Sequence, residues 1–532
     1  MVLLTIDELV VAGRVDGAGA IPPGAFIAST ARSLTFPHGV ACVRGAEHSY
    51  GQLAGAFSFS MLVRVTFPAS MTSLGAGAFA GCTSLQAVLA PGIVTIGDCV
   101  FDGCTSLRTA SFPPSLRTVG NRAFMGCAQI AVAIGAGLEG VGNSAFEGCT
   151  TLVLVSFPRV RTLGDSAFAE CAALRAAEFP ALDAMGRACF EGCLSLRTAS
   201  FGGHITQISV RTFVNCSALE QFCVPAGVGT IRVRAFSGCG ALSLVECAPG
   251  AKLTHIGGWA FNGCTSLVHA GFPPTVRYIG EAAFNGCAFT ALRLPALDRM
   301  GPRAFTNCHR LRTVRYTAAP EFGVPAGAFM GCNQLATVEL PGPVGRICAH
   351  AFAQTRLREI PAGCTALEAH ALAGVALSEV HLSPALRRID RTAFMPSGGA
   401  LTLVVGSSSD THAECAAALV DGWDVTRVFA ADSVVAKLGG AFAGHERGGY
   451  AGLPASLKAA PPRVRSYAGY ILWREWDAPD RQFGRLPAEV RERVVIFLRC
   501  CTRMPERLPM ELLLKVLGFA PRGAPSILMP PV

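Results

Sequence analysis

Apolar positions along this chain recur on two scales. Within short stretches they alternate with polar ones, as in "LRTASFP" (residues 107–113). There Ala110 and Phe112 fall on one side and Thr109 and Ser111 on the other, the period-two pattern of a strand with one buried face. Over longer distances the whole pattern starts again every 20 to 25 residues. Each unit holds a short strand ended by proline, which cannot donate to a ladder. A second extended piece closed by glycine follows, as in "LRTVG" (116–120), and then a tight turn or single helical turn such as "NRAFMGC" (121–127). That last piece drives a phenylalanine into the core. A fixed period of this size predicts a solenoid, because one unit alone cannot bury its apolar side and stacked units can.

The anchors of the period are Phe57, Phe79, Phe101, Phe124, Phe146, Phe168, Phe190, Phe213, Phe236, Phe261, Phe284, Phe305, Phe329, Phe352 and Phe394, with Leu372 filling the one gap. Phe26, in "IPPGAFIAS", reads as one further, irregular unit. Three residues after the anchor stands a cysteine in twelve units: Cys82, Cys104, Cys127, Cys149, Cys171, Cys193, Cys216, Cys239, Cys264, Cys287, Cys308 and Cys332. At Thr355 the series accepts a threonine, which can serve neither as a thiolate ligand nor as a disulfide partner. A linear ladder offers no convergence of four ligands for zinc and no pairing preference for bridges. The cysteines are therefore read as small, reduced core residues.

The pattern Leu-x-x-x-x-hydrophobic-Pro, then hydrophobic-Gly-x-x-Ala-Phe-x-x-Cys, resembles the BspA-type leucine-rich repeats, over about residues 20 to 405. The resemblance implies a β-rich repeat solenoid with short parallel strands and turns, binding proteins through an extended surface. The expected organisation is an N-terminal cap and irregular first repeat (1–56), a solenoid of about 16 units (57–395), an α/β cap (396–445) and a tryptophan-containing helical tail (446–532). The small α/β and helical region rests on "LTLVVG", "DVTRVFAA" and the one-sided apolar face of "LPAEVRERVVIFLRCC". The tail is similar to one that follows such repeats in some algal proteins. Its "LPMELLLKVLGFA" (508–520) resembles the first helix of an F-box, the module that docks a substrate adaptor onto a ubiquitin ligase.

Composition narrows the function. Hydrophobic residues make up 51% of the 532, too many for a disordered chain, yet no run approaches the roughly 18 apolar residues of a spanning helix. The first residues, "MVLLTIDELVVAG", carry acids where a secretory leader has bases, so the expectation is a soluble intracellular protein, with the cell surface as the alternative. A net charge of +9 spread over this length is no nucleic-acid footprint. "GAGLEG" (135–140) matches a dinucleotide fingerprint but precedes a strand rather than a helix, and Asn215-Cys-Ser is a formal sequon built on a ladder cysteine. No catalytic motif converges, and no cofactor or metal site is expected. What remains is the outward position of the first strand: Ser111, Ser156, Glu178, Ser200, Cys223, Glu246, Gly271, Arg293, Arg315 and Glu339. A late basic cluster comprises Arg293, Arg299, Arg303, Arg310, Arg312 and Arg315. The expectation is a non-catalytic scaffold for a protein partner of unknown identity, with Arg293, Arg312 and Arg315 as the candidate contact residues. A ligase adaptor and a surface adhesin are the alternatives.

Overall fold

The computed structural model describes residues 13–27, 31–45 and 55–394, apart from 111–112, 135, 319, 321–322, 343, 358, 362, 376–378, 383–384 and 391. It also describes the backbone of Val2–Leu3, Leu401–Val405 and Val425–Phe429. The helical reading of 406–424 and 430–445 and the whole tail, 446–532, lie outside the described residues. The chain divides into two compact units, Met1–Leu335 and Ala336–Val532.

Through most of the first unit each repeat contributes one strand to each of two parallel rows. The unit around Phe168 is typical. Leu154–Ser156 pairs in parallel with Ala176–Phe179, setting Val155 beside Ala177 and Ser156 beside Glu178. After the turn at Pro158, Thr162–Leu163 pairs with Ala184–Met185 of the second row. Leu152, Val155, Phe157, Val160, Leu163, Ala167, Phe168 and Cys171 are all buried, while Thr162 is exposed. Thus one repeat buries an apolar residue from each strand and each turn. The fold is a β-solenoid of parallel strands, as the period requires.

The piece carrying the anchor is neither strand nor helix. It is a third ladder. In the repeat of Phe146 the N–H groups of Ser144, Phe146 and Gly148 donate to the carbonyls of Asp165, Ala167 and Ala169 in the next repeat, at 2.7, 2.8 and 2.8 Å. Backbone groups that turns ordinarily leave to water are satisfied between repeats instead. The geometry requires positive φ two residues before and two residues after the anchor. After it stands mostly glycine, such as Gly148 at φ 72°, which adopts this conformation freely. Before it stand ordinary residues, including Ser144, Ser166, Arg211 and Trp259 at φ 52–61°. Each of these non-glycine residues stores of order 1 kcal/mol of backbone strain, which the surrounding ladder holds in place.

A side-chain ladder runs beside it. Asp98 Oδ1 accepts the N–H of Asn121 at 2.7 Å, Asn121 Oδ1 that of Asn143 at 2.8 Å, Asn143 Oδ1 that of Asp165, and Asp165 Oδ1 that of Arg187, both at 2.7 Å. The series ends at Arg187, whose side chain has no acceptor atom.

Within the core the anchor rings form one stack. From Phe26 through Phe57 to Phe329, successive centroids lie 4.7–5.6 Å apart with interplanar angles of 3–25°. This offset-parallel arrangement suits aromatic quadrupoles and matches the strand spacing of about 4.8 Å. Phe26 also donates its N–H to Ala56, so the irregular first unit joins the same ladder.

The second unit repeats these elements. Phe352, Leu372 and Phe394 are buried, and the N–H groups of Phe352 and Leu372 donate to Ala371 and Ala393 at 2.8 and 2.7 Å. Arg346–Ile347, Ala366–Leu367 and Arg388–Ile389 form a parallel row. Glu379–Leu382, Leu401–Val405 and Val425–Phe429 form another, so parallel pairing extends past residue 395 to Val425–Phe429.

Two predictions follow from the core. Phe168→Ala empties a fully buried site in the ring stack and is expected to cost roughly 3–5 kcal/mol, read from urea midpoints. An unchanged midpoint would contradict the stack as a source of stability. Tyr316, at the inward end of strand Thr313–Tyr316, is buried, and its hydroxyl has no hydrogen-bond partner among the described residues. Tyr316→Phe removes that unpaired group, so a gain of about 1 kcal/mol is expected in the same measurement, and a loss of that size would contradict it.

Candidate interaction surface

The ladder cysteines face inward, and their position explains their chemistry. Each thiol lies against the carbonyl of the anchor phenylalanine one repeat earlier. Cys82 donates to Phe57 at 2.9 Å, Cys171 to Phe146 at 3.1 Å, Cys216 to Phe190 at 3.0 Å, and Cys332 to Phe305 at 3.1 Å, with the intervening thiols at 3.1–3.3 Å. The same carbonyl already accepts the N–H of its own cysteine, as Phe101 does from Cys104 at 3.0 Å. The thiol thus fills the second lone pair of a buried carbonyl. Where the cysteine is absent, Ser60 Oγ sits against Cys82 Sγ at 3.4 Å, Thr355 donates to the carbonyl of its own anchor Phe352 at 2.8 Å, and after Leu372 the buried Val375 takes the position. Every described cysteine is free, and no cluster of three or more metal-binding side chains occurs among the described residues. No described helix is long and apolar enough to cross a membrane.

Burial pushes these thiols up from Cys104 through Cys308, with Cys149 and Cys264 raised to about 12. A buried thiol that resists ionisation is a poor nucleophile and a poor ligand. The ladder therefore supplies packing and hydrogen bonds, and interaction falls to the outward side chains.

On the first row, Ala291–Leu294 and Thr313–Tyr316 pair in parallel, with Arg293 directly beside Arg315. Leu292, Leu294, Val314 and Tyr316 point inward and are buried, while Arg293 and Arg315 are exposed. Arg312 is exposed just before the second of these strands, its Nε donating to Gln334 Oε1 at 3.3 Å. Farther back along the same outward row stand Glu178, Ser200, Cys223 and Glu246, all exposed. The structure separates the basic cluster of the sequence. Arg299 lies on the outward position of the second row, beside Tyr278, and Arg303 lies in the turn ladder at φ 57°. Nearness in sequence put them together, but a repeat of three sides sends residues a few positions apart to different faces.

Because the native thiols from Cys104 through Cys308 hold their protons and unfolded thiols lose them near their ordinary value, these groups bind more protons in the native state than in the unfolded one in alkali. Stability is then complete below pH about 9 and falls as pH rises toward 12, at about 1.4 kcal/mol per pH unit for each such thiol. Urea midpoints at pH 8 and pH 10 test this. A fall is expected, smaller in a Cys149→Ala/Cys264→Ala variant, and equal falls in both proteins would contradict the assignment to thiols.

No curated protein matches the chain. Among solved structures, a leucine-rich repeat protein from Bacteroides ovatus is 20% identical, covering 70% of this chain and 86% of its own, with a TM-score of 0.47. A leucine-rich cell surface protein from Faecalibacterium prausnitzii is 21% identical, covering 62% and 92%, with a TM-score of 0.37. The pneumococcal vaccine antigen PcpA is 15% identical, covering 78% and 95%, with a TM-score of 0.36. The family model of the BspA type leucine rich repeat region, in 6 copies, matches residues 53–158, 123–243, 243–355 and 323–409. The chain belongs to the BspA-type leucine-rich repeat family.

Proposed function

We propose that the chain is a non-catalytic protein-binding scaffold that docks an acidic partner over the first-row rungs bearing Arg293 and Arg315. One observation carries the reading: the strand register sets these two exposed arginines side by side on one face. Adjacent strands are about 4.8 Å apart, so the two side chains leave the sheet as neighbours. A carboxylate docking over them accepts paired N–H donors from either fork. Arg312 borders the same rungs from the strand entrance. The preceding rung has Gly271 at the equivalent position, which leaves the approach to Arg293 uncrowded. The inward partners of both arginines are core residues, so the pair rides on the rigid part of the repeat rather than on a loop.

Changing Arg293 and Arg315 together to glutamate is expected to leave the melting temperature within a few degrees, since exposed positions tolerate substitution. It is expected to abolish capture, at low salt, of proteins that the unaltered chain enriches from extract through acidic segments. Arg175→Glu/Arg197→Glu, an equal reversal elsewhere on the exposed surface, serves as the control and should keep that capture. Retention of the same proteins by the Arg293/Arg315 variant would remove these rungs from consideration.

A further inference from the structure

The arginines of the second row and the turn ladder are treated differently in two stretches of the same unit. In the earlier stretch four of them meet carboxylates. Arg117 faces Glu139 at 3.6 Å, Arg122 faces Asp102 at 3.2 Å, Arg161 faces Asp183 at 2.9 Å, and Arg211 pairs with Glu191. In the later stretch this stops. Among the described residues, Arg232, Arg234 and Arg299 form no ion pair, although all three are exposed. Only two carboxylates, Glu281 and Asp298, share the second row and turn ladder with the six cations found between Arg232 and Arg303.

The same stretch gathers aromatic rings. His255, Tyr278 and Arg299 occupy one outward column, paired rung to rung, above buried Ile256, Ile279 and Met300. The His255 and Tyr278 rings lie 5.8 Å apart, and His255 Nδ1 is 2.8 Å from Thr254 Oγ1. Around the corner, the Arg234 guanidinium lies over the Trp259 ring, 5.6 Å from its centroid. Both residues are fixed in the turn ladder at positive φ, with Arg234 N–H bonded to Gly258 and Trp259 N–H to Glu281.

We propose that Arg232, Arg234, Arg299, His255, Tyr278 and Trp259 form a second docking surface, separate from the Arg293/Arg315 rungs, for an acidic polypeptide segment. Charge complementarity selects a polyanion, since the positive potential is left uncancelled here and is offset by four ion pairs in the earlier stretch. The state of the rings selects carboxylates over nucleobases. A single-stranded polynucleotide needs open aromatic faces on which bases stack. Here the Trp259 face carries Arg234, and His255 and Tyr278 pack on each other. These contacts hold the cations in place and leave their N–H donors outward, an arrangement that meets carboxylates with little loss of side-chain freedom.

The probe is fluorescently labelled poly-L-glutamate, titrated with the whole chain at low salt and followed by anisotropy. The triple variant Arg232→Gln/Arg234→Gln/Arg299→Gln is expected to bind about tenfold more weakly, and added salt to weaken the unaltered chain similarly. The variant Arg108→Gln/Arg175→Gln/Arg187→Gln removes the same charge from other exposed positions and is expected to bind within about twofold of the unaltered chain. Measured in an Arg293→Glu/Arg315→Glu background, where the first-row rungs no longer take carboxylates, the triple variant is expected to weaken binding by the same factor, which separates this surface from the first-row one. Should the triple variant fail to fold, Arg299→Gln alone decides by the same titration, with a several-fold loss expected. Equal losses in the two triple variants, loss only in the Arg293/Arg315 variant, or tighter binding of a single-stranded oligonucleotide than of poly-L-glutamate would each overturn the proposal.

Discussion

The hydrogen bond from a buried thiol to the carbonyl of the preceding anchor phenylalanine is the contact on which this architecture turns. The anchor must enter the core from a tight turn, and a tight turn leaves buried carbonyl lone pairs that water cannot reach. The carbonyl accepts the N–H of its own cysteine, and the thiol fills the lone pair that remains, for about 1 kcal/mol, a requirement that recurs along the ladder. Cysteine answers it with a side chain small enough for a packed core, apolar enough to be buried without penalty, and able to donate one weak hydrogen bond. Ser60 and Thr355 place a hydroxyl there, Thr355 bonding its own anchor Phe352, and the buried Val375 fills the space with no donor. The position thus takes a small buried side chain and does not call for sulfur chemistry.

Around that contact the turn becomes a third hydrogen-bonded side. Alternating positive φ lets the N–H groups at Ser144, Phe146 and Gly148 all reach the next repeat. The rings then stack at the strand spacing, and all three sides keep the same rise per repeat. A solenoid with three matched ladders presents its outward residues at fixed intervals. That regularity is why two arginines in adjacent strands can be treated as one recognition element and why the unpaired cations near Trp259 contrast so plainly with the paired ones before them.

Much of this could be read from the residues. The period, the anchors and the strand alternation around Val155 and Ser156 follow from spacing alone, because a core-facing position repeated at a fixed interval has one physical meaning. The irregular unit at Phe26 was visible as well. Other features were hidden for particular reasons. A turn of "NSAFEGC" type shows no propensity for left-handed serine or arginine, since tertiary contacts impose that conformation. The acceptor of the thiol is a backbone atom one repeat away and leaves no mark on the sequence. The Asp98–Asn121–Asn143–Asp165 ladder was present as an Asp or Asn after each glycine, a signal that could have been found by aligning the repeats. The basic cluster misled in part: a count along the chain merges faces that the three-sided repeat separates, so Arg299 and Arg303 left the company of Arg293 and Arg315.

The account depends most on the thiols being reduced, buried and hydrogen bonded, and their S–H stretching band in the infrared reports all three. The native protein is predicted to show this band displaced to lower frequency relative to the urea-unfolded protein, because donation to a carbonyl weakens the S–H bond. The shift should diminish as ladder cysteines are replaced by alanine. A band at the same position in the native and unfolded protein, or no band at all in the native protein, would contradict the thiol–carbonyl ladder.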